Sequence, residues 1–264
     1  MSLNALSDWP AAARRGLIGV FTDIDDTLTT NGAITPSALQ ALADLQHAGL
    51  AVVPITGRPI GWSLPFAGTW PVDAIVAENG SAALQCVNGQ VHKHYQQDAG
   101  TRARHQARMQ TVVAEILQAM PEARQSTDSA GRETDIAIDH SEHHTLTEAQ
   151  IARVVALMQA AGMHATVSSI HINGWLGDHH KLSGARWIVR TLWGRDLDQE
   201  MDRWVYVGDS TNDQLMFEHF EHSIGVANIA RFLPQLKHRP RYLATQARGD
   251  GFAEVARAIL QARA

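Results

Sequence analysis

The feature that most constrains this chain of 264 residues is a series of short apolar runs, most of them separated by stretches with helical spacing. They are GLIGVF (16–21), LAVVPIT (50–56), DAIVAENG (73–80), RWVYVGD (203–209), HSIGVAN (222–228) and RYLAT (241–245). A run that is apolar on both sides suits a strand buried on both faces, and such strands belong to parallel sheets covered by helices. Strands alternating with helices through right-handed crossovers predict an α/β core. In TPSALQALADLQHAG, Thr35 suits the N-cap, Pro36 the first helical position and Gly49 the end of the helix.

The middle of the chain follows another pattern. SAALQCVNGQVHKHY alternates polar and apolar residues around Asn88-Gly89, a strong hairpin-turn signal. A helical segment around TRARHQARMQTVVAEILQAM follows, then ETDIAIDH with period-two alternation. TEAQIARVVALMQAAG opens with Thr147 and Gln150 in capping-box spacing and carries Ile151, Val154, Val155 and Met158 on one face, stopping at Gly162. HATVSSIHING is read as one more strand. The expected organisation is an α/β core over residues 1–80 and 178–264, with a smaller α+β module inserted at 81–177.

Charge and composition exclude several classes of function. A net charge of -5, with no lysine or arginine block, offers no footprint for nucleic acid or an anionic membrane surface. No apolar run approaches the roughly 18 residues of a membrane span, and Asp8, Arg14 and Arg15 interrupt the N-terminus where a signal peptide needs a continuous apolar stretch. The single cysteine, Cys86, forms no intramolecular disulfide and reads as a small, partly buried residue. These features together lead us to expect a cytoplasmic protein. The seven tryptophans are scattered and mark no interface, so the sequence leaves the oligomeric state open.

The polar residues converge on one edge. Asp23 and Asp25 follow the first run, Thr56, Gly57 and Arg58 the second, Glu78 and Asn79 the third, and Asp209 the fourth. In an open parallel sheet, ligands bind at the carboxyl ends of the strands. Asp23, Asp25 and Asp26 also crowd like charges together, which calls for a cation or basic partners. A carboxylate beside a divalent cation attacks phosphorus as a nucleophile and forms an aspartyl-phosphate that water then hydrolyses. Asp23, nearest the strand end, suits that role, and Asp25, two residues on, suits acid/base work on the leaving oxygen and on water. Thr56 and the amides near it suit phosphoryl oxygens, and Lys181 is the lysine placed to balance the charge. Asp209 and Asp213 complete a set of hard oxygen ligands that favours Mg2+ over zinc.

DIDDTLT (23–29), ITGRP (55–59), Lys181 and GDSTND (208–213) resemble the four ordered motifs of the haloacid dehalogenase superfamily of phosphohydrolases. The insertion between the second and third motifs is similar to the type IIB cap of the Cof-like, sucrose-phosphate, trehalose-phosphate and mannosyl-phosphoglycerate phosphatases. The resemblance implies a parallel-sheet core with an α+β cap and a Mg2+-dependent phosphatase acting on a small phosphorylated metabolite, such as a sugar or glycosyl phosphate. It implies Asp23 as nucleophile and metal ligand, and Asp25 as acid/base and a ligand through its backbone carbonyl. Thr56, Gly57, Arg58 and Lys181 would bind phosphate, Asp209 would bind the metal, and Asn212 and Asp213 would support both. Asp26 stands where many members carry Gly, and Lys181 lies in HHKLSGARW without the common lysine-glycine pair, leaving Arg186 as the fallback. A phosphomannomutase-like isomerase shares these motifs, and a non-catalytic phosphometabolite sensor is the more distant alternative.

Other residues have simpler readings. HSEHH (140–144) lacks the HExxH spacing and reads as a solvated loop. Arg102, Arg104 and Arg108 read as an exposed helix face. Asn173 and Trp175 sit where a sugar would stack and bond, or where a hinge would pack. Neither GxGxxG nor GxxxxGK[ST] occurs, so no dinucleotide site or P-loop is expected.

Overall fold

The computed structural model describes residues 3–263. Its central sheet has the strand order Asn4–Ala5, Tyr242–Leu243, His222–Gly225, Trp204–Gly208, Gly19–Thr22 and Ala51–Pro54, with every pairing parallel. The strand Ile75–Ala77 joins this edge through a parallel bridge between Ile55 and Val76. The fold is therefore the predicted α/β arrangement, and each of the six apolar runs overlaps one of these strands.

The period of two along each strand decides what it buries. In Gly19–Thr22, Val20 faces a core shared with Leu42, Leu45, Phe252 and Ile259, from the helices Pro36–His47 and Arg248–Gln261. Phe21 faces the other way, toward Leu182, Ile188 and Phe217 from the helices Lys181–Trp193 and Gln214–His219. Burial of this kind contributes about 25 cal/mol per Å2 of apolar surface, which is why both faces of the sheet are covered. Thr35 caps its helix by accepting the N–H of Ala38 at 3.1 Å, with Pro36 in the first turn.

The inserted segment carries a separate apolar cluster of Met109, Val112, Ile116, Ile136, Ile138, Val154, Met158 and Ile172. Its helices, Ala99–Ala119 and Glu148–Ala160, cover an antiparallel sheet in the order His164–Val167, His171–Trp175, Asp135–Asp139, Arg124–Gln125. Thr147 and Gln150 form the capping box.

Two details differ from the sequence reading. HATVSSIHING is a hairpin and not one strand, because Ser168 turns the chain by accepting the N–H groups of Ile170 and His171 on its Oγ. The hairpin Ala82–Val87 and Gln90–Tyr95, which the sequence reading groups with the insertion, pairs with Ile75–Ala77 instead. It buries Ala82 and Leu84 in the core cluster, since its inward face finds apolar partners there. Its turn has Asn88 and Gly89 both at positive φ, 51° and 78°, the conformation that Asn-Gly tolerates.

Candidate active site

The carboxyl ends of four parallel strands meet at one crevice, facing the inserted segment. Asp23 extends the ladder beyond Gly19–Thr22 by donating its N–H to Val207 at 2.8 Å. The chain then tightens around Ile24, whose carbonyl accepts the N–H groups of Leu28 at 2.9 Å and Thr29 at 3.0 Å. This turn puts Asp26 at φ 55°, a left-handed conformation that favours Gly.

Lys181 is buried and donates to Asp23 Oδ1 and to Asp213 Oδ1, each at 2.7 Å. Arg186, the fallback, instead pairs with Asp198 on the surface. Lys181 opens the helix Lys181–Trp193 beneath the cap His180, whose Nδ1 accepts the N–H of Ser183 at 3.1 Å. That helix comes close because Gly184 packs against Gly80: a Cβ on Gly184 would lie 2.6 Å from the Gly80 Cα. Asp213 is saturated. Its Oδ1 accepts from Lys181 and from the Tyr206 hydroxyl, and its Oδ2 accepts the N–H groups of Asp209 at 2.9 Å and Ser210 at 3.1 Å.

One ligand atom from each of Asp23, Asp209 and Asp213 falls within 4.8 Å of the other two, and this is the group among the described residues suited to a metal ion. Asp209 Oδ2 accepts from Asn228 Nδ2 at 3.0 Å, whereas its Oδ1 is buried with no partner. Burial, reinforced by Asp23 and Asp213, pushes the Asp209 carboxyl well above the usual carboxylate range. Burial also raises Asp23, with Lys181 pulling it back and Asp213 and Asp25 raising it further. A hard divalent cation fits this arrangement, because it would complete the orphaned oxygen and relieve the like-charge crowding. Asp213 belongs to the group, but a cation would compete there with four hydrogens. The Asp25 carboxylate lies outside the group.

Asp25 instead meets Arg58, whose Nε lies 2.9 Å and 3.1 Å from its two oxygens. The same guanidinium donates to Asp128 at 3.2 Å and to Glu142 at 2.6 Å, both from the inserted segment, and sits over the Trp62 ring. Most of its donors are thus engaged by carboxylates. His171 Nε2 lies 2.9 Å from Glu142. Thr56 is fully buried, and its Oγ1 accepts the Arg58 N–H at 3.0 Å, which leaves the hydroxyl proton for another acceptor. The Gly57 carbonyl accepts from Arg132 at 2.9 Å and Asn173 at 3.3 Å. Both also bind Asp135, as does Asn79, which joins the core loops to the insertion.

Two cavities border this network. The larger, about 440 Å3, is lined by Asp25, Asp26, Arg58, Glu142, Arg231 and Arg248 among others. The smaller, about 330 Å3, is lined by Asn79, Lys181, Asn212, Thr166, His164 and Trp175 among others. Asn212 Oδ1 accepts the Ser210 hydroxyl at 2.8 Å. Trp175 is buried, stacks between His164 and His179, and donates its indole N–H to the His179 carbonyl at 2.8 Å, which makes it packing and not an open sugar platform. HSEHH forms no metal cluster among the described residues: His140 bonds to the Ser168 carbonyl, His144 to the Glu122 carbonyl and Glu142 to Arg58.

The sequence reading did not include Tyr206, Glu142, Asp128, Arg132 or Asp135. Tyr206 carried a faint signal, as the one phenol inside the apolar run RWVYVGD. Asn228 bridges the Asp26 carbonyl and Asp209 and accepts the Arg248 N–H.

The family model described as haloacid dehalogenase-like hydrolase matches residues 20–126. A comparison with curated protein sequences gave no match. Among solved structures, protein 0175 of Thermoplasma acidophilum superimposes with a TM-score of 0.71 at 15% identity, covering 92% of this chain and 99% of that one. A putative HAD/COF-like hydrolase of Plasmodium vivax gives 0.68 at 14% identity, covering 95% and 98%. The sucrose-phosphatase of Synechocystis sp. PCC6803, solved with sucrose and phosphate, gives 0.65 at 14% identity, covering 93% and 98%. With its four ordered motifs gathered at one sheet edge, the chain is similar to the haloacid dehalogenase-like hydrolases over residues 20–126 and shares the fold of these solved structures.

Proposed function

We propose that the chain is a Mg2+-dependent phosphatase of a small phosphorylated metabolite, of the sugar or glycosyl phosphate class, and that residues near 96–177 act as its cap. The observation that carries this reading is the buried group of Asp23, Lys181, Asp209 and Asp213, with an orphaned oxygen on Asp209. The sugar class is supported by the fold shared with sucrose-phosphatase, and by a sugar-sized space on either side of the network.

Asp23 would attack phosphorus through its free oxygen, while the P–O bond to the leaving group breaks. Asp25 would protonate that leaving oxygen, and Arg58 fixes its carboxylate for the task. The product is an acyl phosphate on Asp23, and Asp25, now ionised, takes a proton from the water that attacks it and restores Asp23. Lys181 and the Thr56 hydroxyl would hold phosphoryl oxygens, with Gly57 and Asn212 at the margins of the site. Asp213 holds Lys181 and the 208–213 loop in place. Mg2+ bound by Asp23 and Asp209, with the Asp25 carbonyl, would neutralise the incoming phosphate and act as a Lewis acid. The contacts of Arg58 with Asp128 and Glu142 would open and close as substrate enters and product leaves.

The test is phosphate release by wild type and Asp23→Asn over a panel of sugar phosphates, with Mg2+ and with chelator. Release that needs both Asp23 and Mg2+ supports the phosphatase. No release from any of them by folded protein in Mg2+ removes it.

A further inference from the structure

The larger cavity is unevenly charged along its length. At its inner end the lining acids outnumber the lining bases, since Asp25 and Glu142 flank the one guanidinium of Arg58. At its outer end the balance reverses. Arg231 and Arg248 share the single carboxylate of Asp26, at 3.0 Å each. Their side chains are 48% and 35% exposed, so most of the five donors on each guanidinium remain open. Across the cavity, Ser169 lines the wall from the inserted segment with a buried Oγ that has no hydrogen-bond partner.

The backbone supports a use for this pair. Asp26 and Arg248 both lie in the left-handed region, at φ 55° and 56°, where a residue with a side chain is uncommon. Arg248 is held there by its N–H bond to Asn228 Oδ1 at 2.9 Å, and Asn228 also binds Asp209. A glycine would relax that position, so an arginine there points to a role for its side chain. Two forked guanidiniums around one carboxylate leave a net positive end, matched in shape to a second planar or tetrahedral anion.

We propose that Arg231 and Arg248 form an anion subsite that takes a second acidic group of the substrate, a carboxylate or a second phosphate, remote from the phosphoryl group being cleaved. The inference rests on the phosphatase reading and narrows it to acidic sugar phosphates, namely sugar-acid phosphates or bisphosphates. Only the outer end of the cavity, with its excess of guanidinium, attracts such a group. The acids at the inner end repel it, which orients the substrate.

Matched pairs test this: glucitol 6-phosphate against 6-phosphogluconate, and fructose 6-phosphate against fructose 1,6-bisphosphate, with kcat/KM measured in Mg2+. The quantity read is the ratio of acidic to neutral substrate within each protein, so a general loss of rate cancels. Wild type should prefer the acidic member of at least one pair by roughly tenfold or more, the scale of a charge-assisted hydrogen bond. The preferred pair tells a carboxylate from a phosphate. Arg231→Gln and Arg248→Gln should each lower the ratio, and the double variant should bring it near one. No preference in wild type for either pair overturns the subsite, as does a ratio that survives the double variant. Loss of hydrolysis of the neutral substrates in both single variants would put the pair in the reaction itself and overturn it too. Phenyl phosphate hydrolysed by wild type without any acid preference would leave the phosphatase standing alone. Failure of wild type on every compound removes both readings.

Discussion

Replacing Glu78 by alanine tests how the insertion is fastened to the core. Glu78 is fully buried, and its carboxylate accepts four donors: the N–H groups of Ile60 at 3.0 Å, Glu133 at 3.0 Å and Thr134 at 2.6 Å, and the Thr134 hydroxyl at 2.5 Å. Ile60 belongs to a core helix, whereas Glu133 and Thr134 precede the strand Asp135–Asp139 of the insertion. Truncation leaves three backbone donors orphaned. At about 1–3 kcal/mol for each unsatisfied group, the gross loss is roughly 3–9 kcal/mol. Two effects reduce it: burial already penalises this carboxylate, pushing it above its usual range, and water enters the space left behind. A net loss of about 4 kcal/mol is expected, a large share of the 5–15 kcal/mol that holds a typical domain together. In urea unfolding followed by tryptophan fluorescence, a slope of about 3 kcal/mol per M converts this to a midpoint lower by about 1.3 M. Glu78→Gln should fall between, because its carbonyl still serves part of the set while its amide faces donors. A midpoint for Glu78→Ala within about 0.3 M of wild type, or a glutamine variant less stable than alanine, would refute the accounting.

Three further outcomes follow from the same geometry. Mg2+ should raise the melting temperature of wild type and leave that of Asp209→Ala nearly unmoved, since the orphaned oxygen belongs to Asp209; equal shifts in both proteins would remove Asp209 from the metal site. Glu142 is opposed by burial but held down by its bonds to His171 and Arg58, to about 2 from an ordinary 4.5. A carboxyl lowered on folding stabilises above its unfolded value and loses that contribution as pH falls. The stability difference between wild type and Glu142→Gln should therefore be full above about pH 4.5 and shrink toward pH 2; a difference independent of pH over that window would contradict the ion pairs seen. Gly184→Ala would place a Cβ 2.6 Å from the Gly80 Cα and push the Lys181 helix off its seat. Stability and phosphate release should fall together, by about 1–3 kcal/mol in the unfolding free energy, and an unchanged variant would mean that the helix can shift freely.

Much of the core was legible because its signals are local. Apolar runs of strand length, Thr35 and Pro36 at a helix start, and Asn88-Gly89 at a turn each report the conformation of their own few residues. The motif residues Asp23, Thr56, Lys181 and Asp209 were legible for a related reason: each sits at or beside an element end, and a parallel sheet brings those ends to one edge. The Ser168 turn was hidden, since its cause is one side chain capping its own backbone inside an apparently continuous strand. The assignment of the 82–95 hairpin was hidden as well, because its alternation states that one face is buried but not against what.

What the sequence alone determined is thus the α/β class, most of the order of strands and helices, and the residues that gather at the carboxyl edge of the sheet. Only tertiary structure decided what those residues face. It saturated Asp213 with Lys181, Tyr206 and two amides, turned Arg58 toward Asp128 and Glu142 from 70 and 84 positions away in the chain, and left Asp209 Oδ1 without a partner. Periodicity encodes the direction in which a side chain leaves its own backbone. Its partner is set by the packing of distant segments, and charge balance, the quantity that chemistry depends on, exists only once those segments have met.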